Sequence, residues 1–395
     1  MKITKLSLAA FIALGSISCA NAQNLEDAIK NVEVSGTVDY RYNDYEESTR
    51  SANKNKSLGS DSTNNYKIGV NLNSKINDDV KFNSRFIAGE QSNAGEKVFD
   101  TQNQGDSNVD VFLSEANFAY SGVQNTIFTL GKQGINTPFT LSRDSMGNES
   151  TGTGIVANTY FKDIATLSGG YFNQTNFNSN DDVFNGSTDP VQLDGAKDFA
   201  YVTGTVTFAD TTLDATYADL QDEFDAYSVG LTGAYVIEQL KLNPYARYTS
   251  LDLENTDKKN TLWKTGIQAN YGIFGAYVAY GKTNKEGGQV SVDASSDAGM
   301  DDHWRVTLTG ISDASALYAA VDTQVTDKIN VALKYSDINS NATDHSEIYV
   351  QGTYKMSSNL STYLRLGQLK VDNFYTADNS DLKSNMGRLN VQYSF

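Results

Sequence analysis

Two histidines, His303 and His345, are the chain's whole supply of the side chain most often used as a general base. Neither adjoins a nucleophile motif, and no Gly-x-Ser-x-Gly turn, the strained elbow that presents a catalytic serine, occurs in the sequence. Carboxylates cluster at 178–189 (NSNDDVFNGSTD) and 293–302 (DASSDAGMDD), but without the spacing of an EF-hand loop, and both stretches read as exposed, solvated surface. Catalysis is not expected, and neither is a cofactor. The residues left to do chemistry are charges with a regular placement. Lys67, Lys81, Arg85, Arg247, Lys264 and Arg388 each fall on the polar side of a segment in which apolar and polar residues alternate.

That alternation organises nearly the whole chain. In VEVSGTVDYRY (32–42), Val32, Val34, Gly36, Val38, Tyr40 and Tyr42 share one face, while Glu33, Ser35, Thr37, Asp39 and Arg41 share the other. The same period recurs at 66–75, 80–89, 240–249, 262–271, 329–336, 348–354, 360–367 and in the terminal strand. A soluble sandwich turns such an apolar face inward, whereas a large barrel turns it to lipid and lines a watery interior with the polar face. Lysine and arginine on the polar face suit the barrel, as do tyrosine and phenylalanine at segment ends, where interfacial girdles fall. Connections also alternate in length. They are tight at 77–79, 162–163, 209–210, 326–328 and 357–358, but long and rich in Asn, Ser and Gly at 43–64, 90–108, 174–197, 284–301 and 370–383. The pattern predicts an all-β fold, a transmembrane antiparallel β-barrel of about 18 strands (16 being the neighbouring count), with long outer loops and short periplasmic turns. A barrel of that size encloses an aqueous channel.

The first residues give the address. Lys2 and Lys5 precede an apolar run, Leu6 to Leu14, too short to span a bilayer, and Ala20 and Ala22 occupy the small-residue positions read by a signal peptidase. Residues 1–22 are thus expected to be a signal peptide and 23–395 a single barrel domain. Ser16 stands where a lipidation site at Cys19 would usually have leucine. Without its leader the chain has no cysteine, and its net charge moves from −17 to −19 because two lysines and no acids are removed. An exported, disulfide-free, acidic chain should repel nucleic acid and attract cations. The ending, RLNVQYSF, sets Leu389, Val391, Tyr393 and Phe395 at alternate positions. In hydrocarbon the last strand has to pair with the first, and this ending resembles the signal by which outer-membrane barrels are recognised for assembly.

Three blocks carry a further resemblance. LEDAIKNVEVSGTVDYRY (25–42), LGKQGIN (130–136) and DSMGNESTGTGIV (144–156) are similar to the N-terminus and the strand-to-constriction-loop region of the major outer membrane porins of Campylobacter and its relatives. The resemblance implies a trimeric porin of about 18 strands in the Gram-negative outer membrane, passing small hydrophilic solutes with a preference for cations. It also raises calcium in the lumen or loops. Positions 148–149 read Asn-Glu where the family pattern has Asp-Gly, so no calcium ligand is carried over.

In a diffusion pore the work falls to a constriction whose width and charge sort solutes. One loop, 134–153, is expected to fold into the lumen, with Asp144 and Glu149 as its acidic eyelet residues. Arg41, Lys67, Lys81 and Arg85 on the first strands are expected to face them, setting up a transverse field that is only partly screened within about 8 Å at physiological salt. Arg143, beside Asp144, is placed to blunt the acid instead. Expected partners are outer-membrane lipid and lipopolysaccharide, further copies of the chain in a homotrimer, the barrel assembly machinery, and small hydrophilic solutes and cations. Alternatives remain open. A surface adhesin or structural barrel would work through its loops, and a substrate-specific channel would need an aromatic ladder such as Tyr245, Tyr277, Tyr349 and Tyr363 could supply. A secreted soluble β-protein would stay dissolved without detergent.

Overall fold

A computed structural model of the chain describes residues 32–51, 54–179, 193–254, 258–375 and 380–395. The expected signal segment with Ala20 and Ala22 lies outside these residues, as does most of the acidic stretch 178–189. The first strands are β1 (Val32–Ser51), β2 (Lys54–Lys75), β3 (Val80–Gly89), β4 (Lys97–Asp100), β5 (Asp110–Val123), β6 (Thr126–Gly134) and β7 (Thr151–Phe161). They are followed by β8 (Ala165–Thr175), β9 (Phe199–Phe208), β10 (Thr211–Leu220), β11 (Phe224–Gly233), β12 (Tyr235–Ile237), β13 (Leu240–Leu253) and β14 (Lys259–Tyr271). The last are β15 (Phe274–Thr283), β16 (Ala314–Thr326), β17 (Ile329–Ser340), β18 (His345–Lys355), β19 (Leu360–Tyr375) and β20 (Ser380–Ser394).

All of them lie in one antiparallel sheet. The short β4 pairs only with the loop end of β2, and β12 continues β11 along their common partner β13, so the wall has 18 staves. The wall closes where β20 pairs with β1, from Thr37 opposite Ser394 to Arg50 opposite Asp381. Gly36 and Phe395 exchange backbone hydrogen bonds at 2.9 and 3.0 Å, which finishes the seam and leaves no open edge in hydrocarbon.

The period-2 pattern decides which face is which. Val34, Val38, Ile68 and Phe86 point outward and are exposed, whereas Asp39, Lys67 and Arg85 point inward and are buried. Tight turns join strands at one end, helped by Asn125, Lys162 and Ala209, which adopt left-handed φ of 59°, 53° and 50°. At the other end the stretches 43–64 and 370–383 prove to be mostly strand. β1 and β2 run for 20 and 22 residues, about twice the roughly 9–11 needed to cross a bilayer, so their hairpin continues beyond the apolar band.

Candidate functional site

The loop after β6, residues 135–150, folds back into the barrel and seats on the inner faces of β2 and β3. Glu149 is fully buried there. Arg85 donates from Nε and Nη2 to its two carboxylate oxygens at 2.9 and 2.7 Å, and Lys67 Nζ lies 3.0 Å from Oε1. Lys67 also donates to the carbonyls of Asp144 and Gly147, both at 2.8 Å. Gly69 makes the approach feasible, because a Cβ at that position would meet the Arg85 guanidinium at 2.5–2.9 Å. The three charges are therefore in direct contact rather than opposed across an open gap. The loop lies flush on the wall, and a carboxylate taken out of water is tolerable only when both oxygens are engaged.

The other expected eyelet residues are spread more widely. Asp144, half-buried, accepts the Met146 amide at 2.7 Å and the Gly147 amide as well, closing a turn. Arg143 pairs with Glu115 and lies 4.0 Å from Glu149. Arg41 reaches Glu96 at 3.3 Å, on the segment after β3 that also enters the lumen. That segment is tied to the first loop, since the Glu96 amide donates to Met146 at 2.8 Å and the Glu149 amide to Asn93 at 3.0 Å. Burial pushes the Glu96 carboxyl above its ordinary range, and Arg41 draws it partly back. Lys81 stays exposed near the turn end of β3, opposite Lys75, and is not brought to the loop.

These donors do not fit calcium. The Lys67 ammonium already holds two carbonyls and a carboxylate oxygen, the ligand set a hard cation would use, and the Asp144 carboxylate is occupied by backbone amides.

A second loop, 284–313 between β15 and β16, also fills the lumen, although its first part reads in sequence as an outer acidic stretch. Val290, Val292, Ala298, Met300, Val306 and Leu308 are fully buried, and Trp304 is nearly so. Most of them pack on inward-facing Leu262, Ala279, Ala316, Tyr318 and Tyr349. The loop's apolar residues find the inner wall, and of its acids Asp302 reaches it as well, at the Tyr277 hydroxyl. The two loops meet directly. Val292 and Asp293 donate backbone N–H to the Phe139 carbonyl at 2.9 and 3.2 Å, and Ala298 to that of Pro138 at 2.6 Å. From the wall, Glu347 on β18 accepts the amides of Trp304 and Arg305 at 3.0 and 2.8 Å.

His303 lies inside this packing and not on an outer loop. Its Nδ1 is 2.7 Å from the hydroxyl of fully buried Ser336, and rings of Tyr277, Tyr318 and Tyr349 surround it. Burial, with Lys334 and Arg365 nearby, pushes the imidazole down to about 3, so it is neutral. Asp301 goes the other way, up to about 6, mainly by burial, with the Ser295 hydroxyl at 3.0 Å opposing the shift.

The last strands supply bases that sequence reasoning left unassigned to the constriction. Arg365 on β19 and Arg388 on β20 are direct cross-strand neighbours, and among the described residues no carboxylate is within ion-pair reach of either. Their guanidiniums lie over aromatic rings instead, Arg365 4.6 Å from Tyr363 and 5.4 Å from Tyr349, Arg388 5.3 Å from Trp304. Like charges directly opposite in a sheet are unfavourable, and the aromatic faces under the two guanidiniums offset part of that cost. Inward parity was the available signal. The four tyrosines form two pairs. Tyr245 and Tyr277 share a hydroxyl contact at 2.8 Å, and Tyr349 and Tyr363 flank Arg365. At the seam, Leu389, Tyr393 and Phe395 are exposed on the outer face beside half-buried Val391, and Phe395 stacks on Tyr393 at 5.8 Å.

A closed antiparallel barrel with polar inner faces, an apolar outer band and loops seated in its lumen defines an outer-membrane channel of the porin class. The chain belongs to the family described as Campylobacter major outer membrane protein, whose pattern matches residues 1–395. Among solved structures it is similar to Pseudomonas aeruginosa OccK3 (OpdO), at 16% identity and a TM-score of 0.67 over 94% of this chain and 99% of that one. It is also similar to a BenF-like porin from Pseudomonas fluorescens Pf-5, at 13% identity and a TM-score of 0.69 over 92% and 98%. At these identities the likeness concerns the fold. A search of curated proteins finds no match.

Proposed function

We propose that this porin forms a water-filled, weakly cation-selective channel for passive diffusion of small hydrophilic solutes and ions. The observation that carries the reading is the closed barrel with a charged, polar inner wall, where, among the described residues, Lys334, Arg365 and Arg388 stay without a carboxylate partner beside loops bound to the wall and to each other. Net charge supports a cation preference, since the chain is strongly acidic and fixed carboxylates concentrate cations at its mouths. Arg365 and Arg388 oppose it at the inner wall, which makes the preference weak. Arg41, Asp144 and Lys81 remain the expected charges with a share in it. The leader would be removed after Ala22, the terminal aromatic strand would be read by the assembly machinery, and the barrel would work as a homotrimer among lipid and lipopolysaccharide. The test is conductance of the purified protein in a planar bilayer under a potassium chloride gradient. Stepwise openings in threes with a cation-selective reversal potential are expected. Insertion without steps would favour a closed or adhesive barrel, and a reversal potential of anion sign would remove the cation preference.

A further inference from the structure

A cavity of about 430 Å3 opens under the second loop, toward the turn between β16 and β17. Its charges are Lys334 on β17, Asp322 on β16 and Asp302 on the loop, with the Gln268 and Gln351 amides beside them. Asp302 accepts the neutral Tyr277 hydroxyl at 2.6 Å, and Asp322 the Asn330 amide at 2.8 Å. Lys334 has its ammonium 5.9 Å from the Tyr349 ring centre. The fields of Arg365, Asp322, Asp302 and Glu347 all reach Lys334. Even so, no carboxylate among the described residues comes within the 4.0 Å of an ion pair.

This separation is unusual. A lysine on a flexible four-carbon stem ordinarily closes onto an acid in a half-buried space, where contact is worth more than in bulk water. Here one positive and two negative groups face a common cavity, Lys334 and Asp322 as diagonal cross-strand neighbours and Asp302 above them on the loop, with their charges out of contact. Their mutual satisfaction needs a molecule that brings both signs. His303, being neutral, adds no charge to the count.

We propose that this cavity is a transit site for small zwitterionic solutes of the amino-acid type, with Lys334 taking the solute's carboxylate and Asp302 and Asp322 its ammonium. The proposal rests on the porin reading above and names a solute class for it. A solute with one charge satisfies only one side and leaves the other as it was. The volume is that of a small-ligand site, with room for a side chain beyond the two charged groups.

Single-channel currents in a planar bilayer at pH 7 test this with three probes of one carbon length: norvaline, pentanoate and pentylammonium. Norvaline should reduce the open-channel current with a half-blocking concentration about tenfold below that of either single-charge probe, a difference of about 1.4 kcal/mol. Lys334→Met should raise the norvaline value about tenfold, and so should Asp302→Asn combined with Asp322→Asn, while conductance steps persist and show that each variant is folded. Equal block by all three probes, or norvaline block unchanged in both variants, would overturn the site and leave the pore reading intact. Wild-type protein that inserts without conductance steps would overturn the pore reading and the site with it.

Discussion

Two of the loops that enter this lumen are held by different physics. The first, 135–150, adds a charge pin to its apolar anchors Ile135 and Phe139: Glu149 reaches the wall and is taken by Lys67 and Arg85 with almost no solvent exposure. The second, 284–313, is held mainly by apolar contact through Met300, Val306 and Leu308, and by Glu347 reaching from the wall to its backbone amides. A charge pin is unforgiving, because removing one partner strands the others in a dry place. An apolar seat loses stability by increments. The same outcome, a loop kept inside a water-filled barrel, is thus reached with opposite tolerances to substitution.

The largest expected effect follows from breaking the pin. Glu149→Gln should weaken seating of the first loop by about 3–5 kcal/mol, since Lys67 and Arg85 lose the charge that compensates their burial. Protease susceptibility of 135–150 and an enlarged unitary conductance would both report it. Replacing all three together, with Lys67→Met, Arg85→Met and Glu149→Leu, should restore most of the seating, because a packed apolar trio has no stranded charge. If the single and the triple variant behave alike, the pin is not electrostatic.

Leu308→Ala addresses the second loop, where a buried leucine truncation should cost about 2–5 kcal/mol. Amide hydrogen exchange should accelerate across 290–308 and stay unchanged at 141–150. Coupled acceleration in both would show that the Phe139 contacts make the loops one unit.

The smallest effect is a pH dependence. Asp301 titrates at about 6 in the folded loop, above the ordinary 3.8, because burial penalises its charged form. The folded state then binds more protons between those values, so the penalty is fully present above about pH 6 and gone below about 3.8. Asp301→Asn should therefore slow exchange of the second loop at pH 7 and make no difference at pH 3.5. A gain that persists at pH 3.5 would assign it to packing instead.

Much of the barrel was legible in the sequence because period-2 alternation is a local property. Val38 against Asp39, or Ile68 against Lys67, declares outside and inside without knowledge of the neighbours. The need to close the sheet was readable from the terminal strand for the same reason. The inner loops were less so. The first came from the resemblance around 130–156, and parity placed Lys67 and Arg85 on the right wall but could not give the distance to Glu149. The second was hidden by composition: Asp293, Ser295, Ser296, Asp297, Asp301 and Asp302 outweigh the apolar residues between them. Its only sequence signal was a group of large apolar side chains, Met300, Trp304, Val306 and Leu308, in a stretch with no strand period. Arg388 was visible as an inward-facing base and Arg365 went unnamed within the alternating segment 360–367; their pairing depends on the register of β19 with β20, which alternation does not encode.

The central claim, that the two loops together set the passage, is tested most directly by unitary conductance of a protein in which 290–308 is replaced by a short Gly-Ser linker. The wall does not depend on this segment for its pairing, so the barrel should still insert, with a larger conductance than wild type and a further increase when Glu149→Gln is added. Unchanged conductance after removal of the second loop would contradict the account.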